Sequence, residues 1–166
     1  MTNATARVLD KRLLFSIIAA GIMSFSGVVV ETAMNVTFPT LMHEFGIGTS
    51  LVQWITTGYL LVLALIIPTS AYLKRRFATR TLFTTAIISF LASTILSAWS
   101  PGFYVLLAGR LLQGVGTGIA LPLMFNIILE QVPGERLGFM IGIASLITAM
   151  APAVGPSLGG LIVGYF

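Results

Sequence analysis

The chain alternates between five long apolar stretches and short breaks that carry charged residues, proline and glycine. A helix needs about 20 mostly apolar residues to cross roughly 30 Å of hydrocarbon, and each stretch has about that length or more. The pattern predicts an all-α membrane protein of about five transmembrane helices. The predicted spans are residues 13–38, 51–73, 81–99, 103–129 and 137–166, with residues 1–12 as a cytoplasmic segment before them.

Composition excludes several other protein classes. Hydrophobic residues make up 57% of the chain and charged residues 8%, whereas ordinary soluble domains carry roughly 25% charged residues. The net charge of +4 comes from basic residues clustered between apolar stretches, which favours a role in membrane orientation over nucleic-acid binding. With no cysteine, one histidine (His43) and no recognisable nucleophile–base set, we expect no metal site, no cofactor and no enzymatic activity.

Lysine and arginine are distributed unevenly between the two ends of the predicted spans. The loops around His43 and Pro101 contain neither residue. Short basic loops stay in the cytoplasm, so the pattern predicts a multi-pass protein with a cytoplasmic N-terminus, expected in a bacterial plasma membrane. The basic residues on the predicted inner side are Arg7, Lys11, Arg12, Lys74, Arg75, Arg76, Arg80 and Arg136.

The first and the last apolar stretch each lead to a further prediction. The first stretch has a basic start, but its apolar run exceeds the roughly 7–15 residues of a signal peptide, which predicts an uncleaved span. The fifth stretch runs to Phe166 with no polar tail. We therefore expect a truncated chain or a fragment of a longer protein.

Glu31 and Arg110 are the ionisable residues that lie well inside predicted spans. Glu31 precedes Pro39 by eight residues and Arg110 follows Gly102 by eight, so both lie about 12 Å below the outer end of the bundle. Intramembrane charge is costly. One interpretation is a buried ion pair that fixes helix packing; the other is a proton- or cation-responsive site that faces an internal cavity.

Polar residues extend this candidate site along two helix faces. Asn35 lies one turn beyond Glu31 on the same face. On the fourth span, a stripe at spacing i, i+3, i+4, i+7 should face a wet interior, unless it only forms hydrogen bonds between helices. The stripe consists of Arg110, Gln113, Gly114 and Thr117.

Glycine and proline residues form a second group of candidates. Pairs four residues apart provide small surfaces for close approach of helix backbones, and proline inside a helix favours a bend. The fifth span is accordingly predicted to be kinked and closely packed. The residues are Gly114 with Gly118, Gly155 with Gly159, and Pro152 with Pro156.

Four motifs follow one another along the chain: ETAMNVTFP at 31–39, QWITTGYLL at 53–61, GRLLQGVG at 109–116 and APAVGPSLGG at 151–160. Together they resemble signatures of the major facilitator superfamily, specifically of drug:proton antiporters in its 14-span multidrug efflux branch. Glu31 stands where that branch usually has aspartate before NVALP, and Ala151 replaces the first glycine of the antiporter motif gxxxGPxxGG. That last motif marks exporters within the superfamily.

The loop between the second and third spans departs from the superfamily signature GxLaDrxGrr, whose aspartate helps to latch the two halves of the transporter. The replacements put this latch in doubt. Ala71, Arg75, Ala78 and Thr79 stand at the Gly, Asp, Gly and Arg positions, while Arg76 and Arg80 remain.

The resemblance implies a transporter that exports drugs or other lipophilic or cationic small molecules in exchange for protons across the bilayer. Superfamily members place the substrate between two six-span halves, so we expect the chain to act as an incomplete N-terminal half with further C-terminal spans of the same protein. The alternative is a truncated membrane interaction protein that does not transport. The implied coupling or substrate residues are Glu31, Asn35, Arg110 and Gln113; the implied motif and packing residues are Gly114, Gly118, Pro152, Gly155, Pro156, Gly159 and Gly160.

Overall fold

The computed structural model describes residues 11–165, and almost all of them are helical. Residues 1–10, including Arg7, and Phe166 at the end of the predicted fifth span lie outside the described residues. The helices are α1 (Lys11–Val36), α2 (Phe38–Phe45), α3 (Thr49–Val52), α4 (Trp54–Arg76), α5 (Thr79–Ala98), α6 (Phe103–Gln131) and α7 (Gly134–Tyr165).

Five helical segments are long and apolar enough to cross a membrane, judged by length and composition. Four are single helices, and the short α3 joins α4 in one segment, Thr49–Arg76. The prediction of an all-α protein with about five transmembrane helices is confirmed. Lys11 and Arg12, which the sequence pattern assigned to the segment before the first span, form the first turn of α1.

The break between the first two spans contains an additional short helix, α2, that the sequence pattern did not predict. Pro39 is compatible with the first turn of α2, where a backbone N–H has no helical partner. Gly46 ends the helix with a left-handed backbone, φ 60°. The apolar side of α2 packs against a buried cluster from α3, α4 and α6. That cluster is formed by Val52, Ile55, Phe103 and Leu106.

The fourth membrane helix, α6, is the centre of the bundle and contacts α1, α4, α5 and α7. Glycines on two of its faces let neighbours approach closely. A Cβ on Gly116 would lie 2.8 Å from the Ala86 carbonyl oxygen of α5, and one on Gly114 would lie 3.0 Å from the Tyr59 carbonyl oxygen of α4. These glycines are Gly109 and Gly116 toward α5, and Gly114 and Gly118 toward α4.

Helices α1 and α7 form the other extensive contact of the bundle. A Cβ on Gly155 would lie 2.8 Å from the Val29 carbonyl oxygen, and one on Gly159 would lie 2.6 Å from the Ala33 carbonyl oxygen. Helix α7 is continuous through Pro152 and Pro156, and both prolines are exposed. The glycines therefore set the α1–α7 spacing without a break in the helix.

Aromatic side chains mark the two ends of the bundle. Trp54, Trp99, Tyr104 and Tyr165 are exposed at the end that carries the His43 loop, and Tyr72 is exposed at the opposite end. Large amphipathic rings are typical of the boundary between lipid and water. We call the end with Tyr72 and the lysine- and arginine-rich loops the basic end, and the other the His43 end.

Candidate functional site

Arg110 is buried at the contact between α6 and α1, with 2% of its surface exposed. Its Nη1 donates a hydrogen bond to Oε1 of Gln113, one turn further along α6. Its Nη2 donates to the backbone carbonyl of Val30 on α1, at 3.3 Å. Both acceptors are uncharged, so the guanidinium is held firmly while its positive charge is not neutralised.

Glu31 follows Val30 directly and is only partly buried. Among residues 11–165, no ion pair joins Glu31 to Arg110, although Glu31 directly follows the residue whose carbonyl accepts a hydrogen bond from Arg110. The structure thus brings the two residues to one level of the bundle without the direct contact that a packing ion pair requires.

The polar stripe of α6 is buried between helices. Thr117 lies against Gly27 of α1, where an added Cβ would stand 3.0 Å from the Thr117 Cβ. Within the described residues, Arg110 Nε has no hydrogen-bond partner. Gln113 is also buried. The stripe is buried against α1 and α4 in the described part of the chain, because the glycines of α1 and α6 allow close approach.

Tyr59 of α4 completes the site, and the residue-by-residue reasoning from the sequence did not single it out. Its ring centroid lies 5.9 Å from Cζ of Arg110, within the range of a cation–π interaction. Its hydroxyl donates to the Gly27 carbonyl at 3.4 Å. Two sequence features could have pointed to Tyr59. It lies in the second of the four motifs, and a tyrosine inside an apolar span is unusual on a surface that only faces lipid.

Asn35 lies away from the guanidinium, although it shares a helix face with Glu31. It is exposed, and its Oδ1 accepts a hydrogen bond from Thr56 Oγ1 at 2.8 Å. This contact ties the end of α1 to the start of α4. In this chain Asn35 therefore connects two helices near the His43 end.

Comparison with known proteins decides the family. Residues 13–166 match the family model described as the Major Facilitator Superfamily. The chain belongs to the major facilitator superfamily.

Three named relatives within the superfamily come from bacteria. An uncharacterised MFS-type transporter of Bacillus subtilis, YhcA, is 42% identical over 92% of this chain and 28% of its own length. The lincomycin resistance protein LmrB of the same organism is 43% identical over 90% of this chain and 31% of its own length. A multidrug resistance protein B homolog of Mycobacterium tuberculosis is 32% identical over 89% of this chain and 28% of its own length. The chain thus spans about a third of the length of these relatives.

The loop that carries the altered superfamily signature lies at the basic end of the bundle. Arg75, at the position of the signature aspartate, is exposed. The preceding Lys74 forms an ion pair with Glu130 at the end of α6. This pair ties α4 to α6, and the sequence reasoning did not find it because Glu130 lies 56 positions after Lys74 along the chain.

The two arginines retained from the signature have different surroundings. Arg76 Nη1 donates to the Tyr72 hydroxyl at 3.2 Å. Arg80 lines a groove of about 260 Å³ between α1, α5 and α6 whose other walls are mostly apolar. Neither arginine lies near the Arg110 site.

The five glycine and proline positions of the antiporter-like motif also separate by surroundings. Gly155 and Gly159 face α1, whereas Gly160 has no neighbouring atom within 4 Å of an added Cβ among the described residues. Pro152 and Pro156 share the exposed side of α7 with Gly160. Of these five positions, Gly155 and Gly159 are the ones that pack against another helix in the described part of the chain.

Proposed function

We propose that this chain forms part of a proton-coupled exporter of drugs or other lipophilic compounds. The observation that carries the proposal is the Arg110 site: a buried cation held by uncharged acceptors beside a partly exposed carboxylate, Glu31. Because Arg110 forms no direct ion pair with a carboxylate, its positive charge can still influence the protonation of Glu31.

Glu31 is the proposed proton carrier of this exchange. A carboxylate that contacts no cation directly can bind either a proton or a cationic substrate, and these two ligands then compete. Linkage makes the effect reciprocal, because a bound cation favours release of the proton and a bound proton weakens the binding of the cation. Gln113 and Val30 keep the guanidinium in place throughout.

The names of the relatives support the substrate class, since one is a lincomycin resistance protein and another a multidrug resistance protein homolog. Because the chain spans about a third of their length, we propose that the substrate lies between this bundle and further spans of the same protein. A partner bundle is required because alternating access moves one bundle against another.

The proposal is tested by measuring drug-induced proton release from the protein expressed from its gene and purified in detergent. Glu31→Gln mimics the protonated carboxylate, so release should be lost and export of cationic drugs should stop, while neutral drugs still bind. Glu44→Gln, an exposed glutamate on α2, is the matched control and should release protons normally. Undiminished release from Glu31→Gln would assign the proton to another group.

We also propose that the basic end faces the cytoplasm, as the distribution of lysine and arginine indicates. Residues 1–166 contain no cysteine, so a single cysteine introduced there is the sole thiol of this part of the protein, and any cysteine elsewhere in the expressed protein is first replaced by serine. Thiol reagents that do not cross the membrane should label cysteine at Gly48 and Ser100 in intact cells, and at Ala78 and Gly134 only after permeabilisation. Labelling of Ala78→Cys in intact cells would reverse the orientation.

A further inference from the structure

Tyr59 contacts three parts of the candidate site at once. Its backbone carbonyl lies against Gly114 of α6, where an added Cβ would be 3.0 Å away. Its ring covers the Arg110 guanidinium, and its hydroxyl donates to the Gly27 carbonyl of α1. With 1% of its surface exposed, the side chain is fully enclosed by these contacts.

Arg110 depends on such contacts because its guanidinium is desolvated and meets no carboxylate among the described residues. A buried charge needs compensating polar contacts to be tolerated. The in-plane donors Nη1 and Nη2 have their acceptors, whereas Nε has none in this part of the chain. The electron-rich ring of Tyr59 supplies a further stabilising partner.

The contacts of Tyr59 and Arg110 with α1 lie on consecutive turns next to Glu31. Tyr59 reaches Gly27, which is four residues before Glu31, and Arg110 reaches Val30, which is the residue before it. Residues four apart on a helix share a face. The Tyr59 ring and the Arg110–Val30 hydrogen bond therefore both act on the guanidinium beside Glu31, and the Tyr59 hydroxyl adds a weaker tie to α1.

We propose that Tyr59 is a positioning residue that holds the Arg110 guanidinium at a constant distance from Glu31. This inference rests on the proposed function, in which Glu31 carries the exchanged proton. The titratable groups that face the site are Glu31 of α1, Tyr59 of α4 and Arg110 of α6. The charged residues of α7, Glu135 and Arg136, lie at the basic end, as does Arg80 of α5, and Tyr165 of α7 is exposed at the His43 end.

The first test compares the pH midpoint of drug-induced proton release in variants of the protein expressed from its gene. Tyr59→Leu removes the ring and the hydroxyl, so we expect the midpoint to move by about half a pH unit or more, the equivalent of a cation–π contact. Tyr59→Phe keeps the ring and should restore most of the normal midpoint. Tyr72→Leu, the same substitution at an exposed position of α4, should leave the midpoint unchanged.

The second test is a double-mutant cycle with Arg110→Ala, measured as the midpoint temperature of thermal unfolding in detergent. If Tyr59 acts through Arg110, the Tyr59→Leu substitution should lower this temperature less in the Arg110→Ala background than in the unsubstituted protein. Equal losses in both backgrounds would overturn the proposal, and so would a well-folded Tyr59→Leu protein with an unchanged pH midpoint.

The two tests separate this inference from the proposed function. If Glu31→Gln releases protons normally, the proposed role of Glu31 fails, and the thermal cycle alone decides whether Tyr59 holds Arg110. If Glu31→Gln abolishes release and the thermal cycle is additive, the proton role stands and the positioning role of Tyr59 is wrong.

Discussion

The bundle holds two lysine or arginine side chains in contrasting ways. Near the His43 end, Arg110 is enclosed between α1, α4 and α6 and donates its hydrogen bonds to an amide oxygen and a backbone carbonyl. At the basic end, Lys74 contacts the carboxylate of Glu130, which is largely exposed. The first cation keeps its charge available, whereas the second is neutralised by its partner.

The difference follows from the surroundings of each pair. At the basic end an exposed carboxylate loses little hydration on pairing, so a direct ion pair forms at low cost and contributes little stability. Inside the bundle, full pairing of two charges would require desolvation of both. Arg110 and Glu31 instead form no ion pair, because the Gln113 side chain and the Val30 carbonyl accept the hydrogen bonds of the guanidinium. A carboxylate that is not locked in an ion pair is free to exchange a proton.

The largest effect is expected from disturbing the helix that carries Glu31. Gly155→Leu would place side-chain atoms on the Val29 carbonyl and force α7 away from α1. We expect a loss of about 1–3 kcal/mol of stability or more from overpacking, seen as little folded protein and no efflux.

The control for this substitution is Gly142→Leu, also on α7, where an added Cβ has no neighbour within 4 Å among the described residues. It should yield a normal amount of folded protein. Normal efflux by the Gly155→Leu protein would contradict the α1–α7 contact described above.

A second prediction tests whether the Arg110 charge acts on Glu31 across the gap between them. Arg110→Ala should change the pH profile of transport, because a carboxylate that loses a neighbouring cation changes its affinity for protons. Lys74→Ala removes the cation at the basic end and should leave the pH profile of transport unchanged. A profile that is identical in Arg110→Ala and unsubstituted protein would show that the two residues act independently.

The smallest effect is expected from exchanging the charges at the basic end. Lys74→Glu and Glu130→Lys should each lower stability by about 1 kcal/mol or less, and the double variant should recover most of the loss, since the pair makes direct contact. High salt should reduce each difference. Thermal unfolding in detergent at low and high salt measures these changes.

The same exchange at the other site provides the contrast. Glu31→Arg combined with Arg110→Glu should not restore stability or transport, because the Val30 carbonyl can only accept hydrogen bonds and therefore suits a guanidinium and not a carboxylate. Recovery by that double variant would mean that the two residues form an ordinary ion pair.

Much of the architecture is contained in local sequence. The five membrane helices and the superfamily were predicted from apolar runs and short motifs, and both predictions are confirmed. The pattern missed α2, because a segment of eight residues with Pro39 near its start is helical only when its apolar side packs on α3, α4 and α6. The number of residues between each charged residue and the end of its span also predicted that Glu31 and Arg110 lie at the same depth in the bundle. The hydrogen bond from Arg110 to the Val30 carbonyl agrees with that prediction.

The sequence by itself determined the number of membrane helices, because the thickness of the bilayer translates directly into the length of an apolar run. It also determined which residues share a helix face, since helical periodicity is local. Only the tertiary structure decided that Tyr59 covers Arg110, that Lys74 meets Glu130, and that Glu31 stays outside an ion pair. These contacts join residues far apart in the chain, and they depend on which helix lies opposite each face.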